Sequence, residues 1–166
     1  RLGIGYLPQE SSIFKKLTVE ENIKILWEIN KNIPKEQYES KLTQLLTEMG
    51  LLHLRHSKGF QLSGGEKRRV EIVRALASNP SFILLDEPFA GIDPIAVKEI
   101  QTIIQSLKEK GLGIIITDHN VRETLTITDR AYLMHNGELL LSGNSTEIAN
   151  DPQAKEFYLG DHFKLD

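Results

Sequence analysis

Apolar residues recur along this chain in two rhythms, and the switches between them mark its elements. Ile4 to Leu7 is a short extended run, ended by Pro8, which has no N–H to give to a ladder. Thr18-Val19-Glu20-Glu21 has the spacing of a capping box, in which hydroxyl and carboxylate satisfy the first amides of a helix reciprocally. A helix is predicted from there to about Asn30. Pro34 suits a first helical turn, and a second helix follows to Met49, closed by Gly50. Ser63-Gly64-Gly65-Glu66 repeats the capping-box spacing and opens a helix to about Ala77. Its apolar side is Ile72, Val73 and Leu76; its polar side is Lys67, Arg68, Glu71 and Arg74.

The second half alternates between strand and helix. Phe82-Ile83-Leu84-Leu85 is a continuous apolar run, the pattern of a strand buried on both faces, and it ends at Asp86-Glu87-Pro88. Asp93 is a natural N-cap with Pro94 behind it. Val97, Ile100, Ile104 and Leu107 then fall at helical spacing, and Gly111 closes the helix. Ile114-Ile115-Ile116 predicts a second buried strand, followed by Thr117-Asp118-His119 and a short helix. Asn136-Gly137 predicts a hairpin between two late strands, and short helices are expected over 145–166. The alternation after Ser63 implies an α/β fold with a parallel sheet, and the strand-free stretch before it reads as a helical insertion.

Composition narrows the classes. The 166 residues suit about one domain, 40% hydrophobic and 26% charged, which excludes disordered and fibrous chains. A net charge of -3 argues against a general nucleic-acid or anionic-membrane binder. With no cysteine, disulfides, thiolate metal sites and thiol nucleophiles are excluded, and a reducing cytosol is expected. No apolar run approaches the ~20 residues that span a bilayer, and the sequence does not open on a charged-then-apolar leader, so secretion is not expected. The chain opens on Arg1 with a strand already under way, so an internal piece of a longer protein is expected.

Four features carry chemistry. Asp86 and Glu87 stand at a strand's carboxyl end, where ligands of open parallel sheets bind; one carboxylate can hold Mg²⁺ while its neighbour orients or deprotonates a water. Ser63, Gly64 and Gly65 offer a hydroxyl and side-chain-free backbone at a helix start, a compact anion site. His119 follows a strand and can donate to a phosphate oxygen. Gln9, at the end of the first strand, can serve Mg²⁺ or a water. Each has a plainer explanation alone, as a helix cap, a tight turn or a structural hydrogen bond.

Together, in this order, they resemble the ATPase subunits of ATP-binding-cassette transporters over nearly the whole chain. Gln9 matches the family's Q-loop, Leu62-Ser63-Gly64-Gly65-Glu66 its signature motif, and Ile83-Leu84-Leu85-Asp86-Glu87 its Walker B strand. Ala90-Gly91-Ile92-Asp93 matches the D-loop and His119 the switch histidine. Gly3 to Glu10, Asp86 to Pro94, Thr117 to Thr124 and the late Tyr158-Leu159-Gly160 with Phe163 are most similar to the lipopolysaccharide-export branch. Branched-chain amino-acid importers are the alternative within the family; a non-transport cassette or a partner-binding relic is the alternative outside it.

The resemblance implies a P-loop NTPase-like sheet flanked by helices, and two cassettes closing head to tail on two ATP molecules. Ser63, Gly64 and Gly65 would then hold the γ-phosphate of the partner's ATP. Asp86 and Gln9 would serve Mg²⁺, Glu87 would polarise the attacking water, His119 would stabilise the γ-phosphate, and Asp93 would couple the two sites. It further implies a helical insertion over about 12–60, a signature helix and catalytic core over 61–144 and a helical tail over 145–166. A transmembrane permease would dock near Ile13, Phe14 and Lys15 at the cytoplasmic face of the inner membrane. No Gly-x-x-x-x-Gly-Lys-Ser/Thr occurs in the 166 residues, so this polypeptide alone is expected to be inactive and marginally stable, with strand edges exposed.

Overall fold

In a computed structural model, residues 3–31, 33–160, 163 and 165 are described. The chain forms two compact units, Arg1–Thr117 and Asp118–Asp166.

The first unit is built on three parallel strands, β1 (Ile4–Leu7), β2 (Phe82–Asp86) and β3 (Gly113–Thr117), in the order β1-β2-β3. Leu7 pairs with Leu85, and Asp86 with Thr117, so the carboxyl ends of all three strands lie together. Helices α1 (Val19–Asn30), α2 (Tyr38–Glu48), α3 (Gly64–Leu76) and α4 (Pro94–Glu109) complete the unit. The local signals place their starts: Thr18 with Glu21 and Ser63 with Glu66 form capping boxes, and Asp93 accepts from the amides of Ile95 and Ala96. Pro34 leads into a 3₁₀ turn over Lys35–Gln37 before α2 begins at Tyr38. Trp27 of α1 is fully buried and donates its indole N–H to the Ala77 carbonyl at 2.8 Å, which fixes α1 against the end of α3.

The apolar runs of β2 and β3 are not buried on both faces. Ile83 and Leu85 are buried, whereas Ile4, Tyr6, Phe82, Leu84 and Ile115 stand exposed on alternating positions. Packing of α3 on β1 and of α4 on β3 covers a single face of the sheet. A continuous apolar run specifies two apolar faces; only the face on the helices is covered within this unit.

The second unit holds α5 (Val121–Leu125), the antiparallel pair β4 (Ala131–His135) and β5 (Glu138–Gly143), α6 (Ser145–Asn150) and α7 (Pro152–Ala154), which runs into a π-helical turn over Lys155–Leu159. Asn136 and Gly137 both have positive φ, 50° and 82°, as the tight hairpin requires. Leu125, Ile148 and Ala154 form the core, and Leu159, Phe163 and Leu165 of the tail pack against it.

Candidate functional site

The parallel register brings Gln9, two residues beyond β1, beside Glu87, one residue beyond β2. The Gln9 side-chain amide donates to a Glu87 carboxylate oxygen at 2.9 Å. Asp86 is held from both neighbouring strands: its two carboxylate oxygens accept from the Tyr6 hydroxyl at 3.2 Å and the Thr117 hydroxyl at 2.6 Å. Desolvation and, beside it, the Asp86 carboxylate push the Tyr6 phenol above its ordinary pKa, so the phenol stays a donor. Glu87 itself takes a left-handed backbone, φ 44°, while its amide donates to the Thr117 carbonyl at 2.7 Å. That conformation costs an ordinary residue about 1–2 kcal/mol, and it persists where the surroundings dictate it.

The surroundings here are a buried ion pair that the sequence placed on a solvent face. Arg68 and Glu71, read as part of the polar side of α3, are 6% and 4% exposed. Arg68 donates to the carbonyls of Pro8, Asp86 and Glu87 at 2.8 Å, to that of Pro88 at 3.3 Å and to Glu71 at 3.3 Å. Glu71 in turn accepts from the Ser11 hydroxyl at 2.7 Å and the Ser12 amide at 2.8 Å. Charged residues at i and i+3 on a helix usually mark an exposed face. Here, loop carbonyls from both strand ends take the place of water.

Ser63, Gly64 and Gly65 form a second cluster at the start of α3. The Ser63 hydroxyl accepts from the Glu66 amide, and the Glu66 carboxylate accepts from the Ser63 amide at 2.7 Å. That hydrogen bond holds the Glu66 carboxyl below its ordinary pKa, against partial burial, which pushes the other way. First-turn amides lack acceptors within a helix and favour an anion. The two glycines differ. Gly64 is exposed, and a Cβ there would meet only ordinary contacts, at 3.6 Å from Ile92. A Cβ on Gly65 would lie 2.5 Å from that of Ala96, so Gly65 lets α3 approach α4. Asp93 is engaged as the α4 cap, its carboxylate accepting two amides at 3.0 Å.

His119 belongs to the second unit. It is exposed, its Nδ1 stands 3.8 Å from the Asp118 carboxylate, and it lines a cleft with Arg122, Glu123, Tyr158 and Phe163. Of the residues expected at a docking surface, Phe14 and Lys15 are exposed, but Ile13 is buried. Ile13 packs inward where it follows the Ser11–Ser12 segment held by Glu71. Phe14 carries the Arg74 guanidinium over its ring at 4.8 Å. Asn22, fully buried, accepts from the Phe14 amide at 2.8 Å and donates to the carbonyls of Phe14, Leu17 and Thr18. No residue pattern marks this role in advance, since an Asn in a helix is ordinarily solvated.

The donor set suits Mg²⁺. Asp86 and Gln9 offer oxygen ligands, and hydroxyl donors occupy only part of the Asp86 carboxylate's acceptor capacity. Among the described residues no group of three or more His, Cys, Asp or Glu could hold a metal ion by itself. Mg²⁺ is commonly held by one or two carboxylates together with substrate phosphates.

Residues 1–90 match the family described as ABC transporter. The chain is 54% identical over 166 residues to an uncharacterized ABC transporter ATP-binding protein of Rhizobium meliloti, covering 99% of this chain and 61% of that protein. It is also 54% identical over 165 residues to the lipopolysaccharide export system ATP-binding protein LptB of Escherichia coli, covering 99% of this chain and 68% of LptB. The chain thus spans from three fifths to two thirds of the length of these relatives. The solved ADP conformation of an ATP-binding cassette of an ABC transporter superposes with a TM-score of 0.82 at 34% identity, over 96% of this chain and 69% of that one. On these matches the chain belongs to the ABC transporter family, in its ATP-binding cassette.

Proposed function

We propose that the protein hydrolyses ATP to drive lipopolysaccharide export, as a peripheral subunit on the cytoplasmic face of the inner membrane. The observation that carries the chemistry is the Gln9–Glu87 hydrogen bond beside Asp86, at the carboxyl ends of parallel strands. The identity with LptB supports the transported substrate. Among the described residues no helix is long and apolar enough to cross a membrane. In this reading transmembrane permease subunits supply the path, docking near Phe14 and Lys15.

Glu87 takes the role of base or orienter of the attacking water, and Gln9 fixes its carboxylate. Asp86 with Gln9 holds Mg²⁺, which supplies charge neutralisation to the transferring phosphoryl group. Ser63, Gly64 and Gly65 present donors to the γ-phosphate of an ATP held by a second cassette. His119 donates to a γ-phosphate, and Asp93, at the head of α4, links the two sites of the dimer. Positioning and charge stabilisation carry most of phosphoryl-transfer catalysis, and this division of labour supplies both to an ATP whose phosphates are cradled elsewhere. The 166-residue polypeptide, without a Gly-x-x-x-x-Gly-Lys-Ser/Thr cradle of its own, does not turn over ATP alone.

The substrate is tested by replacing LptB in Escherichia coli with the whole native protein. Restored growth and restored lipopolysaccharide at the outer surface support this reading. No rescue, with rescue of a strain lacking the ATPase of branched-chain amino-acid import, overturns it.

A further inference from the structure

The buried pair on α3 does more than hold the fold. An arginine has five N–H donors in a rigid fork, and those of Arg68 go to Pro8, Asp86, Glu87, Pro88 and Glu71. Three of these acceptors are the consecutive carbonyls of the left-handed turn at Glu87. A fourth, Pro8, immediately precedes Gln9. On the other side of Gln9, Glu71 holds Ser11 and Ser12. Gln9 is therefore bracketed before and after by the two members of a single ion pair. Glu87 is bracketed by the same guanidinium.

From this geometry we infer that Arg68, with Glu71 as its arm, is a positioning residue that sets the Gln9 amide against the Glu87 carboxylate. The Arg68 hydrogen bonds go to backbone carbonyls and to Glu71, so it acts through the backbone on both sides of the contact. The inference rests on the proposed role of Glu87 in ATP hydrolysis. A role limited to charge balance would be met by any cation beside Glu71. The role inferred here needs the fork, because a lysine ammonium has three donors and no fixed plane.

The test is steady-state ATP turnover by the whole native protein with Arg68→Lys, Gln9→Ala and the two together, alongside Glu87→Gln. Arg68→Lys is expected to melt cooperatively and to lower kcat roughly 10- to 100-fold, with KM for ATP within about twofold. On the Gln9→Ala background the same exchange changes kcat less than about twofold, since both changes loosen one contact. Should the lysine variant fail to fold, Arg68→Gln with Glu71→Gln removes the pair as a unit, leaves no buried charge unpaired, and carries the same expectation.

Full multiplicative loss in both backgrounds overturns the inference, and so does wild-type kcat in Arg68→Lys. Failure of both designs to fold also overturns it, because Arg68 is then only structural. Turnover that survives Glu87→Gln overturns the reading of the site and the inference with it. Turnover that is lost with Glu87→Gln yet ignores Arg68→Lys overturns the inference alone.

Discussion

The Gln9 amide donates to the Glu87 carboxylate at 2.9 Å, joining residues 78 apart in sequence. Two neighbouring parallel strands end at the same level, and each delivers one member of the pair just beyond its last ladder residue. A hydrogen bond to a charged group contributes about 1.5–3 kcal/mol. Because this bond orients the Glu87 carboxylate, Gln9→Ala in the whole protein should lower kcat by about 10- to 100-fold, while the melting temperature moves little, because the bond is exposed to water. Steady-state kinetics alongside a thermal melt check this; a variant that melts early and retains kcat would place Gln9 in the fold instead.

The signature glycines separate packing from binding. Gly65→Ala drives a methyl group into Ala96 and should destabilise by about 1–3 kcal/mol. Gly64→Ala has room and a helical backbone, so stability should hold or rise by about 0.5–1 kcal/mol. If Gly64 faces a phosphate, the same exchange still suppresses ATP turnover. Denaturant melts and turnover of the two variants decide it, and a Gly64→Ala protein with full activity would remove Gly64 from the binding surface.

Stability should depend on Glu66 at acid pH. Its carboxyl is held below the ordinary value chiefly by the Ser63 amide, so its contribution is complete above pH ~4.5 and is lost as pH falls through the lowered folded value. Glu66→Gln keeps a reaching acceptor and should remove that part of the acid dependence. Ser63→Ala removes the cap hydroxyl and should cost about 1 kcal/mol at neutral pH. Urea melts at pH 7 and pH 4 measure both effects.

Asn22 fixes the loop that carries Phe14. Asn22→Ala would leave the part-buried Phe14 amide without its acceptor and should cost about 1–3 kcal/mol. Fluorescence of Trp27, the single tryptophan and fully buried, follows the unfolding. A change below about 0.5 kcal/mol would mean that water replaces Asn22.

Most of the backbone architecture was legible because it is written locally. Thr18 with Glu21, Ser63 with Glu66, Asp93 with Pro94, and Asn136 with Gly137 each encode a cap or turn within four residues, and the structure has them all. The hydrophobic runs located β2 and β3 but misjudged their burial, since a run says that both faces are apolar and not what covers them. Gln9, Asp86 and Glu87 were legible by motif and meet at the strand ends. Arg68, Glu71 and Asn22 were not. Arg68 and Glu71 reach loops far away in sequence, and Asn22 the backbone of the segment just before α1; partners that are mostly backbone groups leave no residue-type signal in a sequence. Ile13 failed for the related reason that an apolar residue beside an exposed aromatic can turn inward.

The role of Glu87 is tested most directly by Mg²⁺-dependent ATP hydrolysis by the whole native protein, wild type against Glu87→Gln. Measurable turnover is expected in the wild type and a loss of at least about 100-fold in the variant, with ATP still retained on the protein. Equal turnover in the two proteins, or a variant that no longer retains ATP, would contradict that role.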